Sequence, residues 1–221
     1  MKAFQSPSCQ MSPISGSEPE RNDDAWSNDD ALRESHNCLA YAMNAVNDTM
    51  VEKCKTTEGC SVSFPQPGYA AGFSGFKRTK HKGCIDMVLR MWGDNPKVKA
   101  TTFYKKCPVG TSKIALIVDP KRDYHYLRQD PDGYWSHKPG AMKVTSLDAS
   151  GRPIIRPDRA LFIYKYRDEP LTYTKFCGYY CVPRNGPIHM MTEVRKEGGA
   201  QPSQKSTRYL QTRRRPRDAS R

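Results

Sequence analysis

Apolar residues recur at helical spacing in two segments of the chain. In the segment 34–50, apolar side chains follow one another at three- and four-residue steps, and Ser35 or Asn37 can cap a helix that begins at Cys38. The segment 84–96 repeats this spacing until glycine and proline end it. Its apolar positions are Ile85, Val88, Leu89 and Trp92. The pattern predicts one helix of about three turns from Cys38 and a second helix from residue 84.

Strand patterns dominate the second half of the chain. The run 113–120 is short and almost continuously apolar, which is typical of a buried strand. The stretch from Tyr124 to Lys138 has turn residues at Asp132 and Gly133, which predicts a β-hairpin. Further strand-like runs occupy 159–166 and 175–183. Two helices followed by an antiparallel sheet predict an α+β fold.

The two ends of the chain differ in composition from its middle. Residues 1–34 are rich in Ser, Pro, Asn and Asp, which predicts a flexible acidic N-terminal arm. Residues 185–221 alternate Gly, Pro and Gln with charge and end in an arginine run, which predicts a basic, mostly disordered tail. The folded α+β domain is expected over 35–184, with a Gly/Pro/aromatic insertion at 63–83 between the helices.

The charge is unevenly distributed. The chain has 36 Lys and Arg against 23 Asp and Glu, a formal net charge of +13. The arm contributes −4 (3 basic, 7 acidic) and the tail +6 (9 basic, 3 acidic), so the middle carries +11. Basic clusters that alternate with aromatic residues favour nucleic acid or another anionic polymer as a partner, and a solvated basic surface is the alternative.

Membrane and secreted classes are not indicated by the sequence. No run approaches the ~18 apolar residues of a membrane span. The start MKAFQSPSCQMSP lacks the apolar stretch of a signal peptide. The eight cysteines contain no CxxC pair, and their spacings match no metal-ligand pattern, so we expect no metal and no cofactor. Without a signal peptide, the cysteines are expected to be reduced and mostly buried.

Three residues could form a nucleophilic site. Cys38 opens a helix, where free N–H groups and the helix dipole favour a thiolate. His125 and His137 lie on the two strands of the predicted hairpin, at positions that can face each other. The combination indicates a nucleophile, a base and an orienting group. The alternative is a buried cysteine that packs the helix onto the sheet, with histidines that are hydrogen-bonded within it.

The motifs HNCLAYAMN, DYHYLRQD and YWSHKPG resemble the papain-like fold of NlpC-type cysteine peptidases and amidases. The resemblance implies that Cys38 is the nucleophile, His125 the general base and acid, and His137 the residue that orients His125. It implies cleavage of a peptide, isopeptide or amide bond. The usual Asp-Cys-Ser-Gly start is replaced by Asn37-Cys38-Leu39, and the insertion 63–83 has no counterpart in the family.

The branch that the sequence most resembles is associated with large DNA viruses and bacteria, which implies a cytoplasmic or virion protein. Two alternatives belong to other functional classes. One is a catalytically inactive papain-like protein that joins a viral or other assembly through residues 1–34 and 185–221. The other is a basic protein that binds nucleic acid without sequence specificity.

Overall fold

The computed structural model describes residues 10–60, 62–73, 75, 83–165 and 170–192, and the backbone of 207–209. The helices are a π-helical turn Asp24–Asn28, α1 Asp30–Ser35, α2 Cys38–Met43, α3 Asp48–Thr56 and α4 Cys84–Asp94. The strands are β1 Ala45–Asn47, β2 Lys99–Thr101, β3 Thr111–Asp119, β4 Asp123–Gln129, β5 Trp135–Ser136, β6 Ile163–Tyr164, β7 Leu171–Thr172, β8 Lys175–Pro183 and β9 Thr207–Tyr209.

The centre of the fold is a five-stranded antiparallel sheet in the order β2-β8-β3-β4-β5. Strands β4 and β5 form the predicted hairpin, and Gly133 adopts the positive φ of 86° that its turn requires. The helices precede this sheet in the chain, so the predicted α+β class is confirmed. Of the predicted strand 159–166, only Ile163–Tyr164 is regular, and it pairs with β7 instead of the main sheet.

The sheet has a hydrophobic core on each face. We call the first the helix-side core, because α2 and α4 pack there against the β3 residues Ile114, Leu116 and Val118. The second, the loop-side core, is built on the alternate β3 residues Ala115 and Ile117. It also contains Phe103, Leu127, Trp135, Ile154, Phe162 and Tyr179. Both faces of β3 are covered, which explains its continuous apolar run.

The helix that begins at Cys38 is shorter than predicted. Asn44 adopts the left-handed conformation (φ 53°) and ends α2, after which the chain forms β1 and then α3. The last carbonyls of α2 accept hydrogen bonds from arginine side chains, since Arg184 donates to the carbonyls of Ala42 and Met43. These contacts replace the hydrogen bonds of a continuing helix.

Arg128 of β4 ties three parts of the chain together. Its guanidinium is fully buried and lies 3.9 Å from the ring centre of Tyr41. It donates to the carbonyl of Tyr41 at the end of α2, and also to the carbonyls of Glu20 (2.7 Å) and Arg21 (3.2 Å). The N-terminal segment, α2 and the sheet therefore share one buried cation.

Residues 10–34 pack onto the domain, unlike the flexible arm that their composition predicts. Trp26 is completely buried and contacts the ring of Tyr41 edge-on at 5.3 Å. Ser12 is also buried and donates to the carbonyl of Phe103. A polar segment can be ordered in this way because its hydrogen bonds are made to the sheet and to buried cations.

The predicted tail begins with packed residues. Ile188 and Met190 are buried, and His189 exchanges two hydrogen bonds with the side chain of Asn95. Further along, β9 pairs with β1. The arginine run at 213–217 lies outside the described residues.

Three disulfides connect six of the seven described cysteines. They are Cys54–Cys60, Cys84–Cys177 and Cys107–Cys181, and Cys38 is free. The expectation of reduced thiols is therefore wrong for these six residues. A β-bulge in β8 places Cys177 opposite Cys84, and Gly178 permits it with a φ of 121°. Pairings between residues as distant as 84 and 177 depend on the folded chain and leave no local signal.

Helix α4 has nearly the predicted bounds but buries a different side. Met87 and Met91 enter the helix-side core, and Arg90 is buried against the inserted loop, where its guanidinium lies 5.3 Å from the ring centre of Phe73. Of the four apolar residues that predict the helix, Val88 packs against the helix-side core, and the other three, Ile85, Leu89 and Trp92, are exposed. At the end of the helix, Asp94 accepts the N–H groups of Gly68 and Ala71 and fixes the inserted loop.

Within the described part of the chain, no helix has the length and apolar character required to cross a bilayer.

Replacing Arg128 with Met should lower the free energy of unfolding by about 3–5 kcal/mol, because it leaves several buried carbonyls and Asp130 without their donor. Urea denaturation followed by tryptophan fluorescence measures this change. The control Arg159→Met removes an exposed arginine and should change stability by less than about 0.5 kcal/mol. Equal losses in the two variants would contradict the role given to Arg128.

Candidate functional site

The start of α2 is fixed by Asn37. Its side-chain oxygen accepts the N–H groups of Leu39 and Ala40, as the N-cap prediction expects. Its amide nitrogen donates to the carbonyl of Pro65 (2.9 Å) and to the hydroxyl of Tyr124 (3.2 Å). The helix start is therefore anchored to both the inserted loop and strand β4.

Cys38 follows this cap and is buried in the helix-side core, with 5% of its surface exposed. Burial raises the pKa of its thiol to about 12, although the backbone N–H groups of Tyr126 and Leu39 hydrogen-bond to the sulfur. The free-energy cost of desolvating the thiolate outweighs the stabilisation that the helix start gives it. The predicted low-pKa thiolate at Cys38 is wrong, and the residue is a neutral thiol at pH 7.

His125 and His137 form a direct hydrogen bond, with 2.8 Å between Nε2 of His125 and Nδ1 of His137. Nε2 of His137 lies 3.1 Å from the carbonyl of Leu147, which can only accept. His137 therefore carries its proton on Nε2, and its Nδ1 accepts from Nε2–H of His125. The geometry assigns both tautomers.

Both imidazoles are uncharged at neutral pH. Burial lowers the pKa of His137 to about 4. Burial, and to a lesser degree the neighbouring His137, holds the pKa of His125 well below its usual value. The His137 ring packs edge-on against Phe162 at 5.9 Å, and the His125 ring lies 5.5 Å from Tyr173. The pair is enclosed in an aromatic environment.

The structure brings together only two of the three predicted site residues. Cys38 lies in the helix-side core, whereas the two imidazoles contact aromatic side chains of the loop-side core, on the opposite face of the sheet. His125 and His137 are hydrogen-bonded to each other across the sheet. Cys38 contacts the same strand through the backbone N–H of Tyr126, the residue that follows His125. All three side chains are largely buried, but the sheet separates the thiol from the two imidazoles, so they do not form one site.

Lys138 lies next to His137 in the chain and is also buried. Its Nζ donates to the carbonyls of Arg33 (2.5 Å), His36 (2.6 Å) and Gly140 (2.6 Å). Burial lowers its pKa to about 7, whereas three acceptors match the three N–H donors of the protonated amine. Lys138 thereby fastens the end of α1 and the residue before the α2 cap to the segment that follows β5.

Side chains of types that can bind a metal ion have other partners at two places near α1 and α3. His36 accepts the N–H of Asn47 with Nε2 (2.9 Å) and hydrogen-bonds to Ser35 with Nδ1 (2.7 Å). The side chains of Glu34, Cys54 and Cys60 are close together, but the two sulfurs are joined in a disulfide. Neither thiolate is available to bind a metal ion in this state.

Part of the positive charge is internal. Four basic residues have exposures of at most 1%: Arg90, Lys113, Arg128 and Lys138. Three of them donate mainly to backbone carbonyls or hydroxyls; Lys113, for example, donates to Ser12 Oγ and to the carbonyl of Phe103. The charge surplus of the middle of the chain is therefore partly structural, which weakens its use as an indicator of an anionic partner.

Comparisons with known proteins gave one informative relative. The chain is 33% identical over 134 residues to insoluble matrix shell protein 1 of Ruditapes philippinarum, which covers 60% of this chain and 75% of the relative. The chain belongs to the insoluble matrix shell protein 1 family. No family model matches the sequence, and no solved structure matches the fold.

Membership of the insoluble matrix shell protein 1 family corrects the functional prediction. The relative is named as an insoluble matrix protein of a shell, so the predicted thiol hydrolase is wrong. The association with viruses is wrong for the same reason. The neutral, buried thiol of Cys38 agrees with this correction, because a nucleophilic cysteine needs thiolate character and access.

Sequence reasoning missed the disulfides and the buried cations. The high number of cysteines favours disulfides, whereas a chain start that does not resemble a signal peptide favours reduced thiols; the structure agrees with the first feature. The local sequence does not predict the burial of Lys138 and Arg128, because basic side chains are normally exposed to solvent. Both depend on carbonyl groups that only the folded chain brings together.

In native protein, we expect iodoacetamide at pH 8 to alkylate Cys38 at least ~100-fold more slowly than in urea-unfolded protein, since the thiol is buried and its pKa is about 12. A Cys9→Ser variant simplifies the measurement, because Cys38 is the free cysteine of the described part of the chain. Mass spectrometry of the alkylated peptide follows the rate. Rapid modification of Cys38 in the native protein would overturn its assignment as a packing residue.

The free energy of unfolding should fall as pH decreases from about 6.5 towards 4. The unfolded chain protonates its histidines below about 6.5, whereas folding lowers the pKa of His36 to about 3 and that of His137 to about 4. The unfolded state then binds more protons, so acid destabilises the fold. The raised pKa of Asp94, about 6, opposes part of this effect.

The variant His137→Gln isolates one contribution to this pH dependence. Urea denaturation at several pH values between 6 and 4.5 gives the slope of the unfolding free energy against pH. In the variant this slope should be smaller than in the wild type by about 1.4 kcal/mol per pH unit, which corresponds to the loss of about one titrating proton. His189→Gln, at a half-buried loop position, serves as the comparison. An unchanged slope in His137→Gln would contradict the lowered pKa of His137.

Proposed function

We propose that this protein is a non-enzymatic structural component of an extracellular, insoluble protein matrix. The observation that carries the proposal is the 33% identity to insoluble matrix shell protein 1 over three quarters of that protein's length. The proposal corresponds to the structural alternative of the sequence analysis, with an extracellular matrix in place of a viral assembly.

The disulfides support an extracellular location. Disulfides form and persist in oxidising compartments and are rare in the cytosol. Two of the three join residues far apart in sequence, 84 with 177 and 107 with 181, and so constrain most of the sheet and α4. A protein stabilised in this way suits a long-lived extracellular material.

The burial of the Cys38–His125–His137 group supports a structural role for it. The three side chains are 5%, 4% and 0% exposed, and the imidazoles form hydrogen bonds that orient the β4–β5 hairpin. On the other face of the sheet, Lys138 and the packing of Cys38 fasten α1 and α2 to it. A peptide substrate and nucleic acid are not part of this proposal.

We also propose that the core is a papain-like scaffold that serves as a structural module. Support comes from a helix that begins at Cys38, a central strand that carries His125, and the hydrogen bond from His125 to His137. In this proposal, the scaffold keeps the three residues in the same chain order, but Cys38 packs on one face of the sheet and the two imidazoles on the other.

The proposed function is tested by fractionating the secreted material of the source tissue. Extraction with a chaotropic buffer without reductant should leave peptides of this chain mainly in the insoluble residue. Mass spectrometry of a non-reducing digest should recover the three disulfide-linked peptide pairs. A soluble, abundant cytosolic protein of the same tissue serves as the fractionation control.

Two results would contradict the proposed function. One is recovery of the chain mainly in the cytosolic fraction with its cysteines reduced. The other is complete extraction by buffer alone, which would indicate a soluble secreted protein instead of a matrix component.

A further inference from the structure

Helix α3 begins at an asparagine that is followed, two residues later, by threonine. The sequence there is Asn47-Asp48-Thr49, and the other six asparagines of the chain have neither serine nor threonine at this distance. This pattern, with any residue except proline in the middle, is the acceptor for N-linked glycosylation in secreted proteins. We call these three residues the acceptor segment. A motif this short also occurs by chance, so its value depends on how the fold places Asn47.

Strand β1 directs the side chain of Asn47 away from the core. Val46 is completely buried in the helix-side core, and successive side chains of a strand point to opposite faces. The backbone of Asn47 is extended, with φ −103° and ψ 103°, so its side chain points away from that of Val46. Asn47 is half-buried and Thr49 is exposed. The acceptor segment therefore lies at the surface.

The two polar atoms of the Asn47 side chain have different surroundings. Oδ1 accepts the N–H of Met50 at 3.3 Å and caps α3. Nδ2, the atom to which a glycan is attached, donates no hydrogen bond within the described part of the chain. Asn37, which caps α2, differs in this respect, because its Nδ2 donates to the carbonyl of Pro65 and is buried. The fold thus holds the Asn47 carboxamide by its oxygen and leaves its nitrogen unoccupied.

A glycan on Asn47 is compatible with the folded helix. Attachment replaces one of the two N–H bonds of Nδ2 and leaves Oδ1 as a hydrogen-bond acceptor. The cap of α3 is therefore kept, and no buried group loses its partner. The pairing of β1 with β9 uses main-chain groups, so it does not compete for Nδ2.

We propose that Asn47 carries an N-linked glycan in the mature protein. The inference rests on the proposed function, because this modification belongs to secreted proteins. The donor is an oligosaccharide linked to a lipid through a diphosphate. Nδ2 forms a bond to C1 of the first sugar and loses one proton, while the bond between C1 and the diphosphate oxygen breaks. The lipid diphosphate leaves with the electron pair of that bond.

The other end of α3 carries a modification that needs the same compartment. Cys54 lies in the last turns of the helix and is joined to Cys60 by a disulfide. Disulfides form in the lumen of the secretory route and are rare in the cytosol. A chain that acquires this disulfide therefore passes through the compartment in which asparagine is glycosylated.

The first test uses the native chain from the secreted material of the source tissue. Trypsin releases the peptide 34–53, which contains Asn47. Treatment with a peptide N-glycosidase in heavy-oxygen water should convert Asn47 to an aspartate that carries the heavy isotope, which fragment mass spectrometry detects. A parallel digest without the glycosidase controls for spontaneous deamidation of Asn37 and Asn44 in the same peptide.

The second test uses the full chain, secreted from eukaryotic cells behind a signal peptide. The wild type should migrate more slowly on a gel than after glycosidase treatment. Thr49→Ala should abolish this shift and Thr49→Ser should keep it, because either hydroxyl residue completes the motif. Thr56→Ala, at an exposed position of the same helix, is the matched control and should also keep it. Asn47→Asp removes the acceptor but retains a capping residue, so its circular dichroism spectrum should match that of the wild type.

The outcomes separate this inference from the proposed function. Unmodified Asn47 in extracellular, disulfide-bonded native protein overturns the glycan and leaves the matrix proposal intact. A shift that persists in Thr49→Ala also overturns the assignment to Asn47. A glycosylated native chain that buffer alone extracts would keep the glycan and contradict the matrix. A native chain found in the cytosol with reduced cysteines would overturn both.

Discussion

The fold depends on buried cations that are satisfied by the main chain. Arg128 donates to the carbonyls of the N-terminal segment and of α2, and Lys138 donates to three carbonyls around the start of α2. Burying a charge is costly unless hydrogen bonds replace its water. Here the replacement comes from carbonyls at helix ends, which are unsatisfied in any isolated helix and carry partial negative charge.

This arrangement explains how a polar chain builds a stable domain. Residues 10–34 have few apolar side chains, yet they are ordered because Trp26 enters the helix-side core and Arg128 binds the carbonyls of Glu20 and Arg21. The disulfides then connect α4 and the loop before β3 to the long strand β8. Hydrogen-bonded cations and covalent links thus supplement two modest hydrophobic cores.

Burial also determines what chemistry Cys38, His125 and His137 can perform. A thiol at a helix start and two histidines on a hairpin are suited to nucleophilic chemistry when the thiol is exposed to water and its pKa is low. In this chain the surroundings are apolar and aromatic, so the thiol stays protonated and the imidazoles stay neutral. Cys38 then packs α2 against one face of the sheet, and the histidine pair joins β4 to the end of β5 on the other face, which suits a structural protein.

The sequence by itself determined the elements whose signals are local. The apolar run of β3, the hairpin around Gly133, the start of α2 after Asn37 and the span of α4 followed from periodicity, turn chemistry and capping, and together they gave the α+β class. The pairing of His125 with His137 also followed from the hairpin, since strand register is set by its turn.

Only the tertiary structure decided which residues are buried and what they contact. The pKa of Cys38, the pairing of Cys84 with Cys177, the burial of Arg128 and Lys138, and the outward direction of Ile85, Leu89 and Trp92 each depend on atoms distant in sequence. The local sequence pattern predicts which helix or strand a segment forms. Whether a side chain is buried, and how much burial shifts its pKa, depends on which distant residues pack around it.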